Sequence, residues 1–159
     1  MRKKLLFIIF CLSALTGFAQ TANTHSQTDD LKGKRIGVIG DSYVKNHKEP
    51  VENTWHYAFA QKHGMEYFNY GRNGNSIAYS SPRWGEAMYI RYKEMTDSLD
   101  YVIVIGGHND AFKLDSIGGI DNFKAKLEIL CKGLVEKYST AKIFFFTPVS
   151  YTHLTLPTT

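Results

Sequence analysis

The chain has 159 residues and a formal net charge of +4, with 19 Lys and Arg residues, 15 Asp and Glu residues and two cysteines. The length and the lack of an internal repeat indicate one domain. Lysines and arginines are mixed with acidic residues along the chain, so the positive charge does not indicate a nucleic-acid-binding protein.

Residues 1–19 have the pattern of a signal peptide. Basic residues at 2–4 precede an apolar run at 5–15 that is too short to span a bilayer comfortably, and a small-x-small cleavage sequence follows. We expect cleavage between Ala19 and Gln20, which predicts a secreted or periplasmic protein without a stable membrane anchor. A retained anchor is the alternative. Cleavage would remove three cations and lower the net charge from +4 to +1.

Two flanking segments differ in pattern from the domain predicted between them at residues 32–149. Residues 20–31 are polar and are predicted to be a flexible leader. Residues 150–159 show neither the helical nor the strand period. We expect this tail to be foreign to the fold and to come from an incomplete or misassembled gene.

Of the two cysteines, Cys11 lies in the predicted signal peptide and Cys131 in the domain. After cleavage no internal disulfide can form. Cys131 lies inside a helical pattern, where we expect a buried and unreactive thiol.

Strand patterns and helical patterns alternate through the predicted domain. Residues 35–39 and 101–105 are apolar on both faces, as strands inside a parallel sheet are. Further strands are predicted at residues 65–68 and 142–146, and helices at residues 53–62, 82–96 and 120–134, the first capped by Asn53 and the second with Pro82 near its first turn. This alternation predicts a three-layer α/β/α fold with a central parallel sheet and right-handed crossovers.

Three of the predicted strands end in polar loops, at residues 40–42, 69–76 and 106–110. In an open parallel sheet, ligands bind outside the carboxyl ends of the strands, so these loops are the candidate site. Each loop taken singly is explained as well by a turn or a helix cap.

Together the three loops resemble the SGNH hydrolases, also called GDSL-type esterases, and the resemblance covers residues 34–148. The family's blocks G-D-S, N-x-x-x-x-G followed closely by Ser or Thr, and G-x-N-D match, in this order, Gly40-Asp41-Ser42, Asn69 through Gly74 with Ser76, and Gly107-His108-Asn109-Asp110. The resemblance implies the flavodoxin-like SGNH hydrolase fold.

The resemblance also implies acyl transfer through a serine ester. Ser42 is then the nucleophile, and its backbone N–H, the backbone N–H of Gly74 and the side-chain amide of Asn109 form the oxyanion hole. A glycine at position 74 lets the backbone approach the oxyanion without a Cβ in the way. Asp41 and Asp110 are expected to support these loops. No motif indicates a metal ion or an organic cofactor.

One block of the family is not found, the D-x-x-H whose histidine takes the serine proton. The residue three before His153 is Ser150. Because an unassisted serine hydroxyl is a weak nucleophile, the chain as given is expected to be nearly inactive and to lack the last helix and strand of the fold. The resemblance places His108 on the oxyanion side of the serine, as a loop or substrate-contacting residue. Three further histidines are expected at the surface: His47, His56 and His63.

A cluster of arginines and aromatic residues follows the second loop. Its members are Arg72, Tyr79, Arg83, Trp84 and Tyr89. Aromatic faces stack on sugar rings and arginine binds carboxylates, so the cluster favours an acylated carbohydrate over a long-chain lipid as substrate. The alternative for Trp84 and Tyr89 is a contact within the helix core.

Two functions remain in competition. The first is a secreted serine esterase that hydrolyses short acyl esters, with O-acetyl groups on carbohydrate as the favoured substrate. The second is a non-catalytic carbohydrate-binding or scaffold protein on the same fold, since the D-x-x-H block is absent. A phosphate- or nucleotide-binding module is disfavoured because the chain has neither G-x-x-x-x-G-K-[ST] nor a G-x-G-x-x-G that opens a helix.

Overall fold

The computed structural model describes residues 30–146. The strands are β1 (Arg35–Gly40), β2 (Glu66–Gly71), β3 (Tyr101–Ile105) and β4 (Lys142–Phe146), and the helices are α1 (Ser42–Lys45), α2 (Trp55–Lys62), α3 (Met88–Arg91), α4 (His108–Ala111), α5 (Leu114–Ile117) and α6 (Ile120–Lys137). Short 3-10 turns occupy Val51–Asn53 and Tyr92–Glu94. The predicted signal peptide, most of the leader and the tail lie outside the described residues. In the part of the chain that is described, no helix is both long and apolar enough to cross a membrane.

The four strands form one parallel sheet in the order β2-β1-β3-β4. β1 lies inside the sheet, and all its residues but Arg35 are buried, which explains its apolar character on both faces. Helices cover both faces of the sheet, so the prediction of an α/β fold with a central parallel sheet is confirmed.

Each face of the sheet has its own hydrophobic core. On one face, side chains of β1 and β3 pack against α3 and α6, with Leu130 and Leu134 of α6 completely buried. On the other face, the core includes Val44 of α1 and Ala60 of α2. The predicted apolar face of α6 is therefore buried in the core near the carboxyl end of the helix. At the start of the helix, Ile120 is half exposed.

The helix predicted over residues 82–96 is confirmed only over residues 88–94, where α3 and the following 3-10 turn lie, and residues 82–87 are not helical. Ser81 and Gly85 close a narrow loop through two backbone hydrogen bonds, 3.1 and 2.8 Å long, and Gly85 has a φ of +73°. The hydroxyls of Ser80 and Ser81 accept the main-chain N–H groups of Ala87 and Trp84. Serine side chains that bind the nearby backbone, with a left-handed glycine, compete with helix formation, so helix begins only at α3.

Two predicted boundaries also need correction. Thr54, and not Asn53, caps α2, because its hydroxyl accepts the Tyr57 N–H and Asn53 belongs to the preceding 3-10 turn. β2 extends to Gly71, so Asn69 lies within the strand and not in the loop after it. Parallel pairing with β1 holds the strand to this point, beyond the apolar residues that indicated it.

Two side chains differ from prediction in their burial. Cys131 lies on the exposed side of α6, although partial desolvation of its thiol still raises the pKa above the ordinary value. His56 is completely buried between α2 and the sheet instead of lying at the surface. Helical periodicity alone does not show which side of a short helix faces the core.

Candidate active site

The three polar loops meet at the carboxyl edge of the sheet. Gly40 at the end of β1 pairs with Gly71 of β2 and with Ile105 of β3, so the residues that follow these three strands begin side by side. A Cβ on Gly40 would overlap the Val44 side chain and the Ile105 carbonyl oxygen. Only glycine therefore allows α1 to pack so closely on the strand ends.

Ser42 is the first residue of α1, and Asp41 caps this helix. The Asp41 carboxylate is 1% exposed and accepts the Tyr43 N–H at 2.9 Å. Burial raises the pKa of Asp41, and this N–H and the nearby His108 partly offset the rise. The structure thus gives Asp41 a capping contact that holds the start of α1, next to the Ser42 hydroxyl.

Asn109 joins the third loop to the other two. Its side-chain nitrogen donates to the Asn75 carbonyl oxygen at 2.8 Å and lies 3.4 Å from Asp41 Oδ2. The first contact is a good hydrogen bond and the second is long. One N–H of the amide is thus firmly held, and the other is weakly engaged by Asp41, the residue before Ser42.

Asp110 fastens the second loop to α4. Its two carboxylate oxygens accept the main-chain N–H groups of Ile77 and Ala78, each at 2.8 Å. Burial raises the pKa of Asp110, whereas these two N–H groups and Lys113 act to lower it. Both oxygens are therefore engaged by backbone.

Gly74 has a φ of +67°, which glycine adopts without strain. A Cβ at this position would overlap the indole of Trp84. Lys113 Nζ donates to the Gly74 carbonyl oxygen and to Ser76 Oγ, both at 3.3 Å. Besides the predicted access to an oxyanion, glycine is required here because Trp84 occupies the space of a side chain.

The predicted substrate-binding residues gather around this glycine. The Arg83 guanidinium lies 4.6 Å from the centroid of the Trp84 ring, and the Arg72 guanidinium packs on Gly85. His108 lies apart from them, with its ring centroid 6.3 Å from that of Tyr43. Arg72, Arg83 and Trp84 are thus brought together beside Gly74, and His108 lies beside α1.

Sequence reasoning missed Arg91 and Asn75. Arg91 is 5% exposed, and it donates through Nε to Asn75 Oδ1 at 2.8 Å and through Nη2 to the Gly40 carbonyl oxygen at 3.0 Å. Asn75 lies within the second motif, so its position is a signal that could have found it. Arg91 belongs to no motif, and the sequence pattern predicted only that it lies in a helix.

A second missed network lies behind α1. His56 Nδ1 lies 2.8 Å from the Tyr67 hydroxyl, which accepts from Asn69 Nδ2 at 2.7 Å. The same amide lies 2.8 Å from the Val44 carbonyl oxygen of α1. Asn69, the first residue of the second motif, thus acts as a brace between β2 and α1.

In the described part of the chain, the loops are accompanied neither by a metal-binding cluster nor by the D-x-x-H block of the resembling family. Within residues 30–146 no cluster of three His, Cys, Asp or Glu side chains is arranged to hold a metal ion. In the same range, no aspartate is followed three residues later by a histidine, so the D-x-x-H block is not found there. The described residues therefore supply candidate oxyanion donors at the sheet edge that carries Ser42, without this block.

No protein-family model matches the chain, and no curated protein matches it. Several solved structures do match the chain. A protein from Lactobacillus plantarum aligns with a TM-score of 0.61 at 26% identity, covering 74% of this chain and 57% of that one. A carbohydrate acetylesterase family member from Sinorhizobium meliloti has a TM-score of 0.55 at 20% identity, with 72% and 62% covered. AlinE4, an SGNH-hydrolase family esterase, has a TM-score of 0.55 at 18% identity, with 72% and 58% covered.

These similarities are at the level of fold. The chain spans between 57% and 62% of the length of the three structures. What is shared is the arrangement of strands and helices that brings the three loops to one edge of the sheet.

Proposed function

We propose that this chain, which has the SGNH hydrolase fold, supplies the nucleophile and the oxyanion donors of a secreted serine esterase that hydrolyses short acyl esters, with O-acetyl groups on carbohydrate as its preferred substrates. The observation that carries the proposal is the convergence of Ser42, Gly74 and Asn109 at one edge of the sheet. The 2.8 Å bond from Asn109 to Asn75 and the contact with Asp41 join their loops.

In the proposed reaction, Ser42 Oγ attacks the ester carbonyl carbon, and the carbonyl oxygen becomes negatively charged. Donors fixed in advance around that oxygen lower the barrier. We assign this role to the backbone N–H groups of Ser42 and Gly74 and to the side chain of Asn109. The Ser42 N–H suits it because the first N–H groups of a helix have no acceptor within the helix.

The Asn109 amide has one hydrogen that the substrate can recruit. Its bond to the Asn75 carbonyl oxygen is short and fixes the amide plane, whereas the contact with Asp41 is 3.4 Å long. The hydrogen that faces Asp41 is the one we assign to the oxyanion. Giving up so long a contact costs little, which suits a donor that must change partners.

The proton of Ser42 needs a base. We propose a histidine outside residues 30–146 for this role, as the D-x-x-H block of the resembling family implies. The base is then separate from the oxyanion donors, and substitutions in the described loops affect charge stabilisation and not proton removal.

The proposed carbohydrate specificity rests on the surface beside Gly74. Trp84 packs against this glycine, and Arg83 lies over its ring. An indole face suits the apolar face of a sugar, and a neighbouring guanidinium suits its hydroxyl or carboxylate oxygens.

A non-catalytic carbohydrate-binding protein is the second candidate. It is favoured by one observation, that residues 30–146 contain no D-x-x-H block to supply a base for Ser42. In that case the surface of Trp84 and Arg83 would bind an acylated sugar without turnover.

Labelling by a fluorophosphonate probe separates the two candidates. In the full-length protein we expect covalent labelling that disappears in Ser42→Ala, together with release of acetate from an acetylated xylo-oligosaccharide. Saturable binding of that oligosaccharide, without labelling and without acetate release, would establish the binding protein instead. The absence of labelling, acetate release and binding would refute both.

A further inference from the structure

We propose that Arg91 is a positioning residue that holds the three loops of the candidate active site together. Only its expected effect on rate rests on the proposed function. The inference itself rests on hydrogen bonds that tie Arg91 to all three loops, directly or through Asn75.

The direct contact is with the end of β1. Arg91 Nη2 donates to the Gly40 carbonyl oxygen at 3.0 Å, and Gly40 immediately precedes Asp41 and Ser42. The guanidinium therefore holds the backbone from which the proposed nucleophile projects.

The contact with the other two loops runs through Asn75. Its Oδ1 accepts from Arg91 Nε at 2.8 Å, its Nδ2 donates to the Glu86 carbonyl oxygen at 2.7 Å, and its own carbonyl oxygen accepts the Asn109 amide at 2.8 Å. Asn75 is completely buried. A shift of the Asn75 side chain would therefore also move the carbonyl group that orients Asn109.

Arg91 contacts the loops without an ion pair. Among the ion pairs of residues 30–146, none includes Arg91, and both of its acceptors are neutral oxygens. Burial of a cation that forms no ion pair is costly. Burial and the nearby Arg72 lower the pKa of Arg91 to about 10, although the nearby Glu94 acts to raise it, so that Arg91 remains a cation at neutral pH.

The geometry of the guanidinium decides which substitution tests the idea. Nε and Nη2 project from one rigid plane and reach two acceptors on different loops. A lysine retains the charge but presents its donors from a single nitrogen. Arg91→Lys therefore separates the charge from the positioning, and Arg91→Met removes both.

The test uses the full-length protein and two measurements. The first is the position of the Asn109 side-chain amide signals in ¹⁵N–¹H NMR spectra. We expect both Arg91→Lys and Arg91→Met to shift these signals and the Gly74 backbone signal. Arg35→Met is the matched control, because Arg35 lies at the opposite end of β1, and we expect it to leave the same signals in place.

The second measurement is the rate at which the fluorophosphonate labels Ser42. We expect the labelling rate to fall about 100-fold in Arg91→Lys and by a similar factor in Arg91→Met. A loss of this size is typical when one oxyanion donor is removed. With an acetyl ester, the loss should be in kcat, with KM changed less than threefold. If an Arg91 variant does not fold, Asn75→Ala breaks the same connection and should shift the Asn109 signals.

The outcomes are distinct. Unchanged Asn109 signals in folded Arg91→Lys and Arg91→Met would overturn the positioning role, and so would labelling of Arg91→Lys within twofold of the unmodified protein. If the unmodified protein is not labelled at all, the proposed function fails, and the NMR signals alone decide the role of Arg91.

Discussion

At the scale of single residues, Gly74 shows how packing and conformation can require the same amino acid. Its φ of +67° disfavours any side chain, and the Trp84 indole fills the space that a Cβ would occupy. Gly33 has a similar φ of +77° but no atom within 4 Å of its virtual Cβ. The two glycines therefore separate the cost of the backbone conformation from the cost of overlap.

We expect Gly33→Ala to cost about 1–2 kcal/mol of unfolding free energy, the penalty of a left-handed residue. Gly74→Ala should cost about 1–3 kcal/mol more, because the methyl group also overlaps Trp84. Urea unfolding measures both. In the Trp84→Ala background the two alanine substitutions should cost the same. If Gly33→Ala and Gly74→Ala lose the same unfolding free energy while Trp84 is present, then a Cβ at position 74 does not overlap the indole.

At the scale of elements, sequence patterns found the parts of the fold that depend on local hydrophobicity. β3 and β4 were predicted with their observed bounds, and β1 to within one residue, because all three are apolar runs, although only β1 and β3 are buried and β4 is largely exposed. The first part of the helix predicted at 82–96 does not form, because serine side chains bind the backbone there and Gly85 has a left-handed conformation. Arg91 and Asn75 could not be paired from sequence, since their contact arises only when α3 folds back on the second loop.

His56 joins α2 to the sheet and gives this part of the fold a pH dependence. Its ring is completely buried, Nδ1 contacts Thr54 and Tyr67, and Nε2 lies near the Tyr43 backbone without forming a hydrogen bond of good geometry. Burial lowers the pKa of His56 below its ordinary value. The pKa of Tyr67 is raised to about 12, so the phenol stays neutral near neutral pH.

The folded state therefore favours neutral His56, and the unfolded state binds the proton more readily. Stability from this residue is present above about pH 6.5, the ordinary histidine pKa, and is lost as the pH falls through the lower folded value. Asp41 and Asp110 act in the opposite direction, because their raised pKa values favour the folded state at acidic pH.

A comparison with His56→Gln isolates the histidine, since both proteins retain the two aspartates. We expect the stability advantage of the unmodified protein over His56→Gln to shrink between pH 7.5 and pH 5. Urea unfolding at a series of pH values measures it. An advantage that stays constant or grows toward pH 5 would show that His56 is not held neutral.

At the scale of the whole molecule, the two faces of the sheet are covered unequally. α1 and α2 cover β1 and β2 on one face, whereas Phe144 and Phe146 of β4 are 46% and 45% exposed on that side. With Trp55 and Phe59 of α2 they line an apolar groove of about 210 Å³. No residue of the three polar loops lines this groove, so an apolar cavity is not the guide to the candidate active site.

The exposure of this groove predicts which aromatic residues of β4 can be replaced. Phe144→Thr with Phe146→Thr should cost less stability than Leu130→Ala, for which we expect a loss of about 2–5 kcal/mol. Phe145, 37% exposed, does not line the groove and provides the control on the same strand. A dye that fluoresces on apolar surfaces should bind the unmodified protein and Phe145→Thr equally, and the double variant less. Equal dye binding by all three proteins would mean that the groove is not open to solvent, and the stability cost of the double variant should then approach that of Leu130→Ala.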